Sequence, residues 1–449
     1  MKRYIPILIA ILAVAVSGCS KSNSTTTTSS VAQLSTFYFA ANDSFPGLAK
    51  ATFKIEERID TGLVYNQDSI QFGTPLDSVV PKFTFAATPG SAILKTTDTT
   101  LVITGKDTVD FTKQPIYLTV TSSNGKTVKV YEIRATVHQI DPDLFKWEQL
   151  TAEIYSADNS EQQVLQVGDE FVFIKDNGFR VSYLTSKDGA AWSQEKTPTG
   201  LPDDCYVRGI ITDGETLYYA DSTGLYTSTD IANWTKQDCS GKAYKPVTML
   251  LAWNNTVWVL ANKNGQYELM NLQDGELTET GLVVDNDFPV SDFAAVAFES
   301  ASLRERAMIM GGYTADGKAV NSRWNIEYSE TLKDDTNNGY RIVNFAIDRP
   351  AFKSITGASV VWYDDKLYLF GGIDADMQYN GRDILVSEDE GISWVAADTT
   401  KNQLPDAYTA RQKQSVIVRD NNIYVFGGES QTETFSDVYR GRLNSIDWE

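Results

Sequence analysis

The chain has 449 residues, 42% of them hydrophobic, which is enough for two or three domains with a sizeable core. Its 59 acidic and 39 basic residues leave a formal charge of -20, which repels a phosphate backbone and argues against nucleic acid as a partner. One histidine, His138, excludes a multi-histidine zinc or copper site and leaves little room for a histidine-based triad. Three cysteines, Cys19, Cys205 and Cys239, exclude a disulfide-dense scaffold and a cysteine-rich metal site.

Lys2 and Arg3 form a positive start, and Tyr4 to Val16 is an apolar run too short to span a bilayer comfortably. It ends in Val16-Ser17-Gly18-Cys19, which resembles a bacterial lipobox. That resemblance implies a signal peptide over residues 1–18 and lipidation of Cys19. Acyl chains there would anchor the chain to a membrane, because each buried CH₂ contributes about 0.8 kcal/mol. Residues 19–30 then hold the lipidated Cys and a polar, low-complexity tether, SKSNSTTTTSS. Ser20 follows the Cys, which by resemblance to Gram-negative lipoproteins implies the outer membrane. The acidic run that sends some Bacteroidota lipoproteins to the cell exterior is missing, so a periplasmic and a surface leaflet both stay open.

Residues 31–140 read as a β-domain. STFYFA, ATFKI, KFTFAA, TLVITG, IYLTV and VKVYEIRATV alternate apolar and polar residues with period two, as half-buried strands do. Asn124-Gly125 between two such runs predicts a hairpin. About seven short strands in this span suggest an immunoglobulin-like sandwich, without the Cys and Trp of antibody domains. The segments FGTPLDSVVPKFTFAATPGSAI and DTVDFTKQPIYLTVTSSNGKTVKVYEI resemble the Ig-like N-terminal modules of Bacteroidota surface lipoproteins, which serve mostly as spacers. His138 closes the segment as a packing or surface residue.

Residues 141–449 repeat. FVFI, LYYA, VWVL, AMIMGG, LYLFGG and IYVFGG begin at 171, 217, 257, 307, 367 and 423, each preceded by a matching apolar strand and a short polar turn. A drifting period near 50 residues with four strands per unit predicts a β-propeller of six blades. The Gly-Gly pairs resemble kelch repeats. SKDGAAW, STDIANW and SEDEGISW resemble Asp-boxes, whose Ser and Asp oxygens hold a turn while Trp packs into the blade. Trp147-Glu148-Gln149-Leu150 stands where other units begin their fourth strand, so residues near Trp147 are expected to complete the last blade. Such a closure removes sheet edges. The fold class is therefore all-β: an Ig-like sandwich followed by a six-bladed kelch-like propeller.

Antiparallel order puts the loops between second and third strands on the face that also carries the connections to the next unit. Those loops are long in units four to six: YTADGKAVNS, IDADMQYN and ESQTETFS. Long loops on a rigid scaffold are where binding sites usually sit. The candidate ligand-binding residues on that face are Tyr313, Asp376, Tyr379, Arg382 and Glu429. Tyr206, Arg208, Asp292, Lys353 and Arg411 precede inner strands and are expected at the central mouth. Such side chains suit sugar hydroxyls and carboxylates. Asp374, Asp376 and Asn380 offer oxygens to Ca²⁺ at a spacing that fits no EF-hand, and no metal is assigned. Cys205 and Cys239 occupy different positions in their repeats, so two unpaired thiols is the default and a disulfide the alternative.

As a whole the chain resembles uncharacterised Bacteroidota lipoproteins with an Ig-like module and a kelch-like propeller. The leading reading is a non-catalytic envelope lipoprotein that binds a ligand, such as a glycan, or scaffolds other envelope proteins, with no cofactor. One alternative is a kelch-type sugar-modifying enzyme such as a sialic acid mutarotase, which needs no metal. A sialidase would need an Arg-Ile-Pro motif, and Phe179-Arg180-Val181 lacks the proline. The other alternative is a protein–protein interaction module.

Overall fold

The computed structural model describes residues 28–155, 160–273, 275–300, 304–333, 337–345 and 354–448. The lipobox with Cys19, and Lys353, lie outside these residues. The chain divides into two compact units, Met1–Ile140 and Asp141–Glu449. No helix among the described residues is long and apolar enough to cross a membrane.

The first unit is a β-domain. A six-stranded sheet runs in the order Phe53–Glu56, Thr61–Asn66, Val128–Arg134, Ile116–Ser122, Pro89–Lys95 and Thr100–Val102, and Leu34–Phe39 pairs separately with Pro81–Phe85. Thr61–Asn66 runs parallel to Val128–Arg134. The hairpin at Asn124-Gly125 forms, with Gly125 at a φ of 70° and its N–H on the Ser122 carbonyl. Phe37, Phe39, Phe53 and Phe111 meet mostly edge to face in the core, the arrangement that aromatic quadrupoles favour. His138 donates its backbone N–H to the Ile70 carbonyl at the edge of this unit.

The second unit is a β-propeller domain built from successive antiparallel sheets. In chain order the second strands are Glu170–Asp176, Leu217–Asp221, Thr256–Lys263, Glu305–Met310, Lys366–Phe370 and Asn422–Glu429. Each carries one of the apolar tetrads read from the sequence. These strands are almost continuously apolar because sheets pack on both of their faces. Phe171, Ile174, Leu217, Trp258, Leu260, Ile309, Leu369 and Ile423 are all fully buried.

The first sheet departs from the four-strand expectation. It has three strands, and the segment after Trp192 contributes one isolated bridge, Tyr183 to Lys196. The last sheet is completed from the start of the unit: Phe145–Thr151 pairs antiparallel with Thr434–Leu443, as the position of Trp147 predicts. Gly441 lies opposite Trp147, and a Cβ there would come within 2.5 Å of the indole ring. The chain beyond Leu443 turns as a 3-10 helix, Asn444–Trp448.

Two sequence features acquire a physical reason here. Ser186, Ser228 and Ser387 each hydrogen-bond an Asp two residues on, and the tryptophans of the same turns donate Nε1–H to the carbonyls of Gly189, Ile231 and Gly391. Backbone N–H groups at Ala190 and Ala191 hold the Asp188 carboxyl below its ordinary range. The glycine pairs do more than free the exit of a strand. The first glycine of each makes room for the segment entering the next sheet. A Cβ at Gly311 would meet the Ile355 carbonyl at 2.1 Å, and one at Gly371 the Gln414 Oε1 at 2.5 Å. At Gly427 it would meet the Gln162 Oε1 at 2.5 Å. The pairs therefore mark the seams between neighbouring sheets.

Candidate ligand site at the propeller mouth

The segments that enter the inner strands converge on one end of the central channel. Two residues before the inner strands Ala294–Glu299, Ser359–Tyr363 and Ser415–Arg419 stand Asp292, Gly357 and Lys413, with left-handed φ values of 49°, 63° and 57°. Asp tolerates that conformation better than most residues, but at Lys413 it carries strain of about 1–3 kcal/mol. The conformation aims each backbone at its neighbour. Gly357 donates its N–H to the Asp292 carbonyl at 2.9 Å, and Lys413 donates to the Gly357 carbonyl at 2.6 Å.

Arg208 closes this ring. It sits in the 3-10 turn Val207–Gly209, which is pinned by buried Cys205, Val207 and Ile210. Its Nη1 donates to the Lys413 carbonyl at 2.8 Å, and its Nε donates to Asp292 Oδ1 at 3.0 Å. The Arg208 and Asp292 side chains are only 7% and 12% exposed. Tyr206 OH donates to the same carboxylate oxygen at 2.9 Å. Burial, and then the Asp292 charge, push the Tyr206 phenol well above its usual range, so it stays a donor.

Outside the ring lies a half-buried charged group. The Lys413 ammonium is 3.1 Å from Glu429 Oε1 and 3.7 Å from Glu161 Oε1. Burial works against the charge of Lys413 but is outweighed by Asp292, Glu429 and Glu161, so its pKa is raised. Burial also raises the Glu161 carboxyl, against the pull of Lys413. Gln412 Nε2 donates to Glu429 Oε1 at 3.2 Å. Burial first, and then the Glu429 charge, raise the Tyr379 phenol.

The residues picked from sequence fall into three sets. Tyr206, Arg208, Asp292, Tyr379 and Glu429 come together at the mouth. Tyr313 and Asp376 stay in their loops. Tyr313 is half-buried with its OH accepting from Thr356 Oγ1 at 3.3 Å, and exposed Asp376 donates its backbone N–H to Asp374 Oδ1 at 3.0 Å. Two arginines are spent on structure. Arg382 is held by Asp406, Gln403 and the Leu404 carbonyl. Arg411 is 1% exposed, pairs with both Asp437 oxygens at 2.5 and 3.1 Å, and lies over the Tyr408 and Phe435 rings. It is therefore a core element of the last sheet rather than a mouth residue. Glu161 and Lys413 were missed, because single charges at strand starts read as solvated. Aligning Lys413 with Asp292 in their repeats was the available signal.

Asp374 receives the backbone N–H groups of Asp376 and Gln378, so its carboxylate caps its own turn. Among the described residues no group of three His, Cys, Asp or Glu is arranged to hold a metal ion. Cys205 and Cys239 are free, buried thiols, and burial raises both.

The fold and this polar mouth define a β-propeller protein with a small charged site at the end of its central channel. The chain belongs to the DUF6242 family. Residues 141–449 match the family model described as DUF6242 beta propeller domain, and residues 17–135 match Domain of unknown function (DUF6242) N-terminal domain. A solved structure described as "Structure of YjhT" is similar with a TM-score of 0.46 at 10% identity, covering 64% of this chain and 96% of that one.

Proposed function

We propose that the chain is a non-catalytic envelope lipoprotein, anchored through Cys19, that captures a glycan at the propeller mouth. The observation that supports this most is the placement of half-buried Lys413 between Glu161 and Glu429, with the Glu429 charge also acting on Tyr379. Carboxylates accept from sugar hydroxyls, the ammonium donates to ring and hydroxyl oxygens, and an aromatic face packs on sugar CH groups. The ring of Asp292, Gly357, Lys413 and Arg208 keeps these groups in place, so little conformational entropy is lost on binding.

The test is a glycan array with the full chain beside Lys413→Met and Glu429→Gln. Glycan binding that both variants lose supports the reading. Absence of binding to every glycan, or binding unchanged in both variants, overturns it and leaves a protein partner as the object of search.

The raised Glu161 carboxyl favours a second reading, a sugar-modifying enzyme in which Glu161 moves a proton. Accelerated exchange between free sialic acid anomers, followed by proton NMR and lost in Glu161→Gln, would replace the binding reading with this one.

A further inference from the structure

A second polar pocket lies away from the mouth, between the fifth and last sheets. Its volume is about 270 Å³, just under the range of about 300–1,000 Å³ that holds drug-sized ligands, which suits a smaller molecule. The fifth sheet runs Ser359–Tyr363, Lys366–Phe370, Ile384–Ser387 and Val395–Ala396. It supplies Asp364 from its first turn, Lys366 and Tyr368 from its second strand, and Glu388 just after its third. Asp398 and Lys401 follow its fourth strand, and Asp143 precedes the closing strand Phe145–Thr151.

Four carboxylates and two ammonium groups thus line the pocket, an excess of two negative charges. The lysines are already paired. Lys366 Nζ lies 2.7 Å from Glu388 Oε1, and Lys401 Nζ lies 3.0 Å from Asp141 Oδ2. Asp398 caps its own turn, accepting the Thr400 N–H at 2.9 Å and the Thr400 hydroxyl at 2.6 Å. Among the described residues the Asp143 carboxylate comes no nearer to a cation than 3.9 Å, from Lys401 Nζ. The acidic groups do not converge on one point as metal ligands would, so their charge is spread around the rim.

Tyr368 points to a ligand independently of these charges. It is 3% exposed, with its ring edge to face against Phe145, yet its hydroxyl makes no hydrogen bond among the described residues. Its neighbour Tyr363 is saturated by comparison, donating to the Asn421 carbonyl and accepting from the Leu443 N–H. A hydroxyl left unpaired at such burial is costly. Burial, and then the Asp364 charge, push the Tyr368 phenol well above its usual range, with Asp143 and Glu388 adding to the effect. The hydroxyl therefore lies within the field of the pocket's own carboxylates.

We propose that this pocket binds a short aliphatic diamine. One ammonium donates to the Tyr368 hydroxyl oxygen and to Asp364, and the other reaches Asp143. An ammonium has three donors, so it can meet a hydroxyl and a carboxylate together. Two positive charges match the excess of two negative ones, and exposed Val395 offers a surface to the methylenes. The site is independent of glycan capture at the mouth.

Isothermal titration of the full chain with diaminobutane, butylamine and butanediol tests this. Diaminobutane is expected to saturate one site, with butylamine at least tenfold weaker and butanediol not binding. Tyr368→Phe keeps the buried ring and every charge, and is expected to weaken diaminobutane about tenfold, the loss of one hydrogen bond from a charged donor. Asp364→Asn is expected to weaken it by a similar factor. Asp365→Asn removes the same charge one residue away, outside the pocket, and is expected to change affinity less than about twofold. Circular dichroism checks the fold, and if Tyr368→Phe does not fold, the two Asp variants decide. Absence of saturable diaminobutane binding, butylamine or butanediol binding as tightly, unchanged affinity in Tyr368→Phe, or equal losses in Asp364→Asn and Asp365→Asn overturns the proposal.

Discussion

Arg208 Nε lies 3.0 Å from Asp292 Oδ1, although 84 residues separate them in the chain. The same guanidinium reaches the Lys413 carbonyl, 205 residues further on, at 2.8 Å. One side chain thus ties three entry segments together. Removing one partner of a buried ion pair typically costs about 3–5 kcal/mol, because the other charge is stranded. Asp292→Ala is expected to lower the urea midpoint of the propeller transition accordingly. Asp292→Asn keeps an acceptor and is expected to lose less. Equal midpoints for Asp292→Ala and wild type would show that the ring does not depend on this pair.

Arg411 makes a different case. Its pair with Asp437 is buried and its guanidinium lies 3.8 Å from the Phe435 ring centroid. Arg411→Ala is expected to destabilise by about 3–5 kcal/mol by leaving Asp437 unpaired. The double variant Arg411→Met, Asp437→Leu is expected to recover most of that loss. Chemical denaturation of Arg411→Met, Asp437→Leu and the double variant beside wild type measures the coupling. Additive losses would mean that the two side chains act independently.

The seams between sheets are open to a finer test. Gly371 has a φ of 58°, and a Cβ there would come within 2.6 Å of the Arg411 carbonyl. Gly371→Ala therefore combines strain with a backbone clash and is expected to cost about 2–4 kcal/mol. Gly317 has a φ of 80° and open space around its Cβ direction, so Gly317→Ala is expected to cost about 1 kcal/mol. Thermal melts of the two variants side by side should separate them. If they melt together, crowding at the seam contributes nothing.

The pH dependence of Glu161 has a definite sign. Its folded pKa is raised above the ordinary 4.5, first by burial. A carboxyl with a raised folded pKa favours the folded state in its protonated form. That contribution is fully present below the unfolded pKa and is lost as pH rises through the folded one. Glu161→Gln is therefore expected to stabilise the propeller at neutral pH and to match wild type in acid, below about pH 4. Urea midpoints at the two ends of that range check it. A variant less stable than wild type at neutral pH would show that the attraction to Lys413 outweighs burial.

The second strands of the propeller were plain in the sequence because burial on both faces leaves runs such as Phe171–Ile174 and Leu367–Phe370 almost without polar residues. The closing strand was legible because Trp147 repeats the position of a tryptophan that other units carry. The first sheet's missing fourth strand was overlooked, although SQEKTPTG after Trp192 has no apolar alternation and carries Pro198, both signs against a ladder strand. The parallel pairing of Thr61–Asn66 with Val128–Arg134 was not legible, because alternation fixes which face is buried but not which neighbour is chosen. At the mouth, Tyr206, Arg208 and Asp292 were found by their place before inner strands. The same rule wrongly brought in Arg411, whose counter-charge at Asp437 lies on another strand and cannot be seen from the entry segment. It overlooked Glu161 and Lys413, whose meaning comes only from being brought together.

The pairing of Phe145–Thr151 with Thr434–Leu443 also bears on how the protein is made. A ribosome emits the first of these strands long before the second, so the propeller's earliest strand must wait, unpaired, through almost the entire synthesis of the domain. Closure of so long a loop is slow compared with forming a local hairpin. During that interval the nascent chain presents an open β-edge, and a holding chaperone or rapid completion of translation would decide whether it finds its own last sheet or a neighbour's.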